Sequence, residues 1–294
     1  MCSGTLKRGG PKDRRLRGTR APIGDNKRSF ELKIAWKRLS VASVAALLSA
    51  CGTTYPIPEP SAADRRVAAE TMAEEKAMRD VRGGVSRAAF RTVTARVEPV
   101  AESFCRAHVE DDVPCDIEIR LISEPEPNAF QFYEGESPIV AFTTGMLAEA
   151  RNDHEIAFVL GHEMGHHIAS HIEKQQQQAM AGALIGGVLA GAAAMNDPHM
   201  TQVQAEDLME NTMTAGAAIG NRAYSQTFEL EADMIGTHIS TRAGYDAQTG
   251  ARLFARARAA TTPSGTRSFW GTHPPSEARI ATVAATVREA RGAE

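Results

Sequence analysis

The run His162-Glu163-Met164-Gly165-His166 sets two imidazoles four positions apart with a carboxylate next to the first. On a helix, residues i and i+4 share a face one turn apart, so both rings can reach one divalent metal. Glu163, beside them, is placed to hold a water on that metal and to take its proton. This set suits hydrolysis, because a metal with one position left open lowers the pKa of water towards about 7 and polarises a carbonyl.

A third histidine on the same helix would need Gly at 169 and His at 172, but Ala169 and Ile172 stand there, so the third ligand comes from elsewhere. Downstream, Glu229, Ala232, Asp233 and Gly236 fall at i, i+3, i+4 and i+7, a helical face that is small and acidic. Small residues flanking two carboxylates let this helix press against Gly161 and Gly165, which makes Glu229 the third ligand. Asp233, one turn on, is placed to accept the free N–H of a ligand histidine and fix its tautomer. Glu231 points away from the metal; Glu231 or Asp233 as a direct ligand is the lesser alternative. The oxyanion of a hydrolytic step would rest on the metal, with Arg222, Tyr224, His238 and His273 as candidate side-chain donors. His154, His167, His171 and His199 lack a consistent metal-facing spacing and read as surface or core residues, and packing is the favoured role of His238.

The elements that must position these groups are mostly helical. Asn152, three residues before Glu155, marks a helix start, and the apolar pattern through Ile156, Val159 and Leu160 carries the helix to about Glu173. Ala179 to Met195 is charge-free and 17 residues long, at the lower edge of a membrane-spanning length, and reads as a buried or membrane-surface hairpin with the Ala/Gly patch Thr214 to Gly220 as partner. Further helices are expected over about Ser61 to Val109, Thr227 to Arg242, Ala247 to Ala260 and Ser276 to Arg291. Two strands are legible, Cys115 to Ile122 by alternation and Ser137 to Thr143 by a short apolar run, with Pro125, Pro127 and Gly135 marking turns between them. An extended peptide would add a strand beside the second, at Ile139, Val140, Ala141 and Phe142.

These residues resemble a known family. HEMGH, Phe228 to Gly236 (FELEADMIG), Ala243-Gly244-Tyr245-Asp246 and Thr272-His273-Pro274-Pro275 with Arg279-Ile280 are similar to HtpX/BepA-type membrane-associated zinc endopeptidases, over about Pro125 to Thr282. Asn128-Ala129-Phe130 resembles the family's segment ahead of its active-site strand, whereas Gln226 stands where relatives usually have Arg. The resemblance implies an α+β fold, a mainly helical zincin-like domain with a small β-sheet whose edge strand borders the active site. It implies one zinc ion per chain on His162, His166 and Glu229, Glu163 as the catalytic residue, Asp233 supporting the ligands, and His273 on a loop that caps the metal in a resting state.

Residues 1–40 hold 12 Lys+Arg against 3 Asp+Glu, leaving 21 against 33 in the remainder, so the net charge of -3 conceals a front near +9 and a body near -12. After this basic stretch come an apolar run, Leu39 to Ala50, and Leu48-Ser49-Ala50-Cys51, which resembles the bacterial lipobox in which the cysteine is lipidated. Gly52 favours the outer membrane, facing the periplasm, over an inner-membrane anchor. The expected organisation is a basic extension and signal over 1–50, a Pro-rich tether over 51–60 and a peptidase domain over 61–294, its core at about 115–282 and its hairpin at about 179–220. In that oxidising compartment Cys105 and Cys115 are candidates to pair, two free thiols being the alternative.

With 43% hydrophobic and 23% charged residues over 294 positions, disorder, collagen and a polytopic membrane protein are excluded, and a body near -12 argues against nucleic acid. The expected activity is cleavage of unfolded or misassembled envelope proteins by a membrane-anchored enzyme. The alternative is a non-catalytic chaperone or assembly factor for outer-membrane components that uses the same cleft. A structural zinc module is disfavoured, because such sites close four ligands rich in Cys.

Overall fold

A computed structural model describes residues 52–292 except 79, 80, 82, 110–112 and 257, with the backbone alone over 219–225. The signal-like run and Cys51 lie outside the described residues. Helices α1 (Ala62–Ala77) and α2 (Arg87–His108) lead into strands β1 (Glu118–Ile122), β2 (Ala129–Glu134) and β3 (Ser137–Thr143). There follow α3 (Thr144–Glu149), α4 (Asp153–Ile168), α5 (His171–Asn196), α6 (Gln202–Arg242), α7 (Ala247–Ala251) with a 3-10 turn Arg252–Ala255, α8 (Phe269–Thr272) and α9 (Glu277–Gly292). The architecture is α+β and mostly helical.

Asn152 starts α4: its side chain accepts the Glu155 N–H at 3.0 Å. The cap is one-sided, since the Glu155 carboxylate takes the Arg151 N–H at 2.8 Å instead of reaching back to Asn152. α4 is buried on nearly every side, with Ile156, Phe158, Val159 and Leu160 in one core with Val93 and Val97 of α2 and Phe142 of β3. It ends at Ile168, short of the expected Glu173. Ser170 adopts a left-handed backbone, φ 52°, unusual for a residue with a side chain, and α5 sets off in a new direction from His171.

The sheet has the order β1-β3-β2, with β1 parallel and β2 antiparallel to β3. The stretch read as turns holds β2, whose alternating Phe130 and Phe132 ahead of Gly135 (φ 67°) carry a hairpin signal. β3 is the central strand: Ile139, Val140, Ala141 and Phe142 are buried, and each pairs with β1 on one side and β2 on the other. Both hydrogen-bonding edges are used, so no peptide can add a strand there, and the free antiparallel edge belongs to β2.

α5 and α6 form a long hairpin whose backbones touch. A Cβ on Gly182 would lie 2.1 Å from the Gly216 carbonyl oxygen, and one on Gly186 would lie 2.1 Å from that of Thr212. The outer face is apolar and exposed through Met180, Leu184, Val188, Leu189 and Met195. By length and composition, α5 is the one described helix apolar enough to cross a membrane. At its other end α6 packs on α4, where a Cβ on Gly161 would stand 3.0 Å from the Gly236 carbonyl oxygen and one on Gly165 as close to that of Ala232.

Residues 52–60, expected as a free tether, lie against the body. The Tyr55 N–H donates to buried Glu231 at 2.6 Å, its hydroxyl donates to the His108 carbonyl, and Ile57 to Pro60 line a groove with Leu230 and Ala281. A buried carboxylate that captures a main-chain donor holds a strap that composition alone would leave loose. Cys105, in α2, and Cys115 are joined in a disulfide.

Candidate metal centre

α4 presents His162 and His166 from adjacent turns, α6 presents Glu229, and the residue after α8 is His273; all four are buried, and their donor atoms lie within 4.8 Å of one another. His162 Nε2 stands 3.0 Å from His166 Nε2, 3.2 Å from His273 Nδ1 and 3.5 Å from Glu229 Oε2. Glu229 is 3.3 Å from His166 Nε2 and 2.9 Å from His273 Nδ1. Donors each about 2.0–2.1 Å from a tetrahedral zinc would be about 3.3 Å apart, and the five separations above, 2.9–3.5 Å, bracket that value.

Helix contact makes this possible. Without side chains at Gly161, Gly165 and Gly236, α6 comes close enough for the short Glu229 side chain to reach both imidazoles. Asp233, one turn on, meets His162 Nδ1 at 2.9 Å and so turns Nε2 towards the cluster. Burial opposes a proton on His162, but the hydrogen bonds to Asp233 and Glu229 prevail and raise its pKa to about 9. Burial depresses His166, with Glu229 partly opposing. Glu229 itself is held well below 4.5, its burial outweighed by His273, Arg279 and the two ligand histidines.

Glu163 is buried beside the cluster, its Oε1 3.4 Å from His273 Nε2 and without a hydrogen-bond partner. A buried carboxylate oxygen left unpaired is poised to accept a proton from a molecule that enters. The donors open into a cavity of about 490 Å3 lined by Asn128, just ahead of β2, and Phe130 and Gln131 of β2, together with Glu163, Glu229 and His273.

Several partners escaped the sequence reading. Arg279, on α9, is fully buried; it grips both Asp233 oxygens at 2.7 Å and approaches Glu229 at 3.0 Å, with its guanidinium 3.9 Å from the Phe254 ring centroid. Its place in the motif was visible, but its role depends on α9 crossing α6. His171, read as surface or core, has Nδ1 2.7 Å from His166 Nδ1 and Nε2 3.0 Å from Glu231 Oε2. Burial and the neighbouring His166 hold His171 well below 6.5, in its neutral form. Glu231 does point away from the donors, as its position two residues from Glu229 implies, and reaches His171 instead.

The remaining candidates lie elsewhere. His238 is beside Phe104 of α2, ring centroids 6.1 Å apart, not in the cavity. His154 accepts the Asp246 N–H, His167 bonds Tyr133 and the Pro114 carbonyl, and His199 sits between α5 and α6. Gln226 is exposed, and the side chains of Arg222 and Tyr224 lie outside the described residues.

Comparison with protein families matches the model of peptidase family M48 to residues 87–287, a span that contains every donor of the cluster. Comparison with curated proteins finds no match.

Proposed function

The chain belongs to peptidase family M48, a family of zinc-dependent metallopeptidases, and from that premise we propose that it is a zinc endopeptidase of the HtpX/BepA type that cleaves unfolded or misassembled envelope proteins. The observation that carries this reading is the convergence of His162, His166 and Glu229 beside an unpaired, buried Glu163 oxygen. Zinc held there supplies a Lewis acid that activates water near neutral pH and polarises the scissile carbonyl.

The chain's own groups do the rest. Glu163 takes the proton of the attacking water and returns it to the leaving amine. The His273 ring, seated among the donors, has to swing aside before a substrate carbonyl can enter. The peptide lies extended along the free edge of β2 past Asn128, Phe130 and Gln131, so main-chain hydrogen bonds provide affinity and sequence selectivity stays loose. Loose selectivity suits removal of misfolded chains.

An envelope location is supported by three features: the lipobox-like run ending at Cys51, the Cys105–Cys115 disulfide, which persists in oxidising compartments, and the exposed apolar face of α5. The enzyme is anchored by lipid at Cys51 in the outer membrane, facing the periplasm, with the hairpin against the bilayer surface. Labelled palmitate should enter the wild type but not Cys51→Ala.

Replacing Glu163 with Gln should abolish casein cleavage while zinc stays bound; undiminished cleavage refutes the assignment. The position of His273 Nδ1 inside the donor set favours a second reading, a chaperone or outer-membrane assembly factor whose cleft stays closed. Full rescue of envelope defects by the Glu163→Gln chain would select it.

A further inference from the structure

Behind His166 runs a chain of buried polar contacts that the hydrolytic step does not use. His166 Nδ1 lies 2.7 Å from His171 Nδ1, His171 Nε2 lies 3.0 Å from Glu231 Oε2, and Glu231 Oε1 accepts the Tyr55 N–H at 2.6 Å. His171 and Glu231 are each 1% exposed or less, and the His171 ring is stacked on Phe228, centroids 4.3 Å apart and planes within 15°, which fixes its orientation.

Proton placement along this chain follows from donor chemistry. Two nitrogens 2.7 Å apart share one proton, and Glu231, which already accepts the Tyr55 N–H through one oxygen, meets His171 as an acceptor through the other. Glu231 therefore takes a proton-bearing Nε2 from His171, which leaves His171 Nδ1 bare as an acceptor. His166 must then carry its proton on Nδ1, and its Nε2 lone pair faces Glu229 and His162. The other order would place a proton on the nitrogen that faces the donor cluster.

We propose that His171 and Glu231 are positioning residues that lock His166 in the tautomer presenting Nε2 to the metal, and that the main-chain strap at Tyr55 completes this relay. The inference rests on the metal reading above. It gives the metal ligands unequal supports: His162 leans on Asp233 one turn along the Glu229 helix, whereas His166 leans through a second imidazole on the segment that follows Cys51. The junction at Ser170 is what permits this, because the left-handed residue turns His171 back over His166.

Nitrogen-15 NMR of the zinc-loaded wild type decides the tautomers: His166 should be protonated on Nδ1 and His171 on Nε2 only. A His171 protonated on Nδ1 overturns the relay. Zinc affinity measured by chelator competition should weaken about 10–100-fold in Glu231→Gln and His171→Phe. His171→Gln, whose amide can accept from His166 and donate to Glu231, should recover most of that loss, and His154→Gln, remote from the site, should match the wild type. Folded variants with wild-type affinity overturn the proposal, and a variant that does not fold leaves the decision to the wild-type NMR. Zinc loading should slow hydrogen exchange at the Tyr55 amide several-fold; an unchanged rate removes the strap. A wild type that binds no zinc sinks the metal reading itself, an outcome distinct from the others.

Discussion

The two ends of α4 each bury a cluster of charged or ionisable side chains, and the clusters differ in how they are completed. At the first turn, carboxylates meet guanidiniums: Glu155 pairs with Arg256, and Glu75 with Arg151 at 2.6 Å, Arg252 at 2.8 Å and Arg256 at 3.2 Å. Arg258 closes on Glu149 alongside. At the last turns, three carboxylates, Glu163, Glu229 and Asp233, face one guanidinium, Arg279, among the described residues, and the imidazoles contribute lone pairs. The carboxylates there outnumber the guanidinium, and the donor atoms of His162, His166, Glu229 and His273 converge. One end is a finished brace that holds α1, α4 and the 3-10 turn together; the other is a set of converging donors that could hold a metal. Burial of charge alone therefore does not mark a site. An incomplete balance with converging lone pairs does.

That contrast can be broken by moving a carboxylate from each end. Glu229→Ala should lose zinc on dialysis and all casein cleavage with it, whereas Glu75→Ala should keep wild-type zinc affinity; retention of zinc by Glu229→Ala would void the cage. In chemical denaturation, Glu75→Ala should cost about 3–5 kcal/mol, because it takes a carboxylate from buried Arg256 and from half-buried Arg151 and Arg252, and the cost should be equal with and without chelator. Chelation, in contrast, should lower the melting temperature of the wild type and leave that of Glu229→Ala in place. A smaller effect is expected from His273→Ala, which removes the fourth donor but none of the first three. It should keep zinc and cleave casein several-fold faster, and slower cleavage would make His273 a working part of the site.

The smallest effect sharpens the brace alone. Burial raises the Glu75 carboxyl, but hydrogen bonds and charges from Arg252, Arg256 and Arg151 outweigh it, so the folded pKa lies below the ordinary 4.5. A depressed carboxylate contributes stability that is fully present above the unfolded pKa and is lost as pH falls through the folded one. The stability gap between wild type and Glu75→Gln should hold at neutral pH and shrink below about pH 4.5. A gap that widens on acidification would contradict the assignment of charge at this end.

Legibility followed the range of the interaction. The HEMGH pair, the Asn152 cap and the small acidic stripe from Glu229 to Gly236 are set by spacing along one helix, so sequence periodicity carries them. β2 is masked in the sequence because Pro125 and Pro127 signal turns just ahead of it, although Phe130, Phe132 and Gly135 hold its pattern. β3 was read as an open edge, although it is the central strand, for a deeper reason. An apolar run such as SPIVAFT signals burial, and burial favours the centre of a sheet over its rim. Arg279, His171 and Glu231 were visible as residues but not as partners, since each reaches the site across a helix crossing.

The sequence by itself determined which helix faces carry metal donors, because a 3.6-residue repeat is a property of the local backbone. Only the tertiary structure decided which strand edge lies open and that Arg279, His171 and the Tyr55 strap support the donor set, whereas the place of His273 beside it was already implied by the resemblance. Those outcomes depend on how close backbones approach at Gly161, Gly165 and Gly236 and on the turn at Ser170. Such distances arise from packing between segments far apart in the chain, and no local spacing records them.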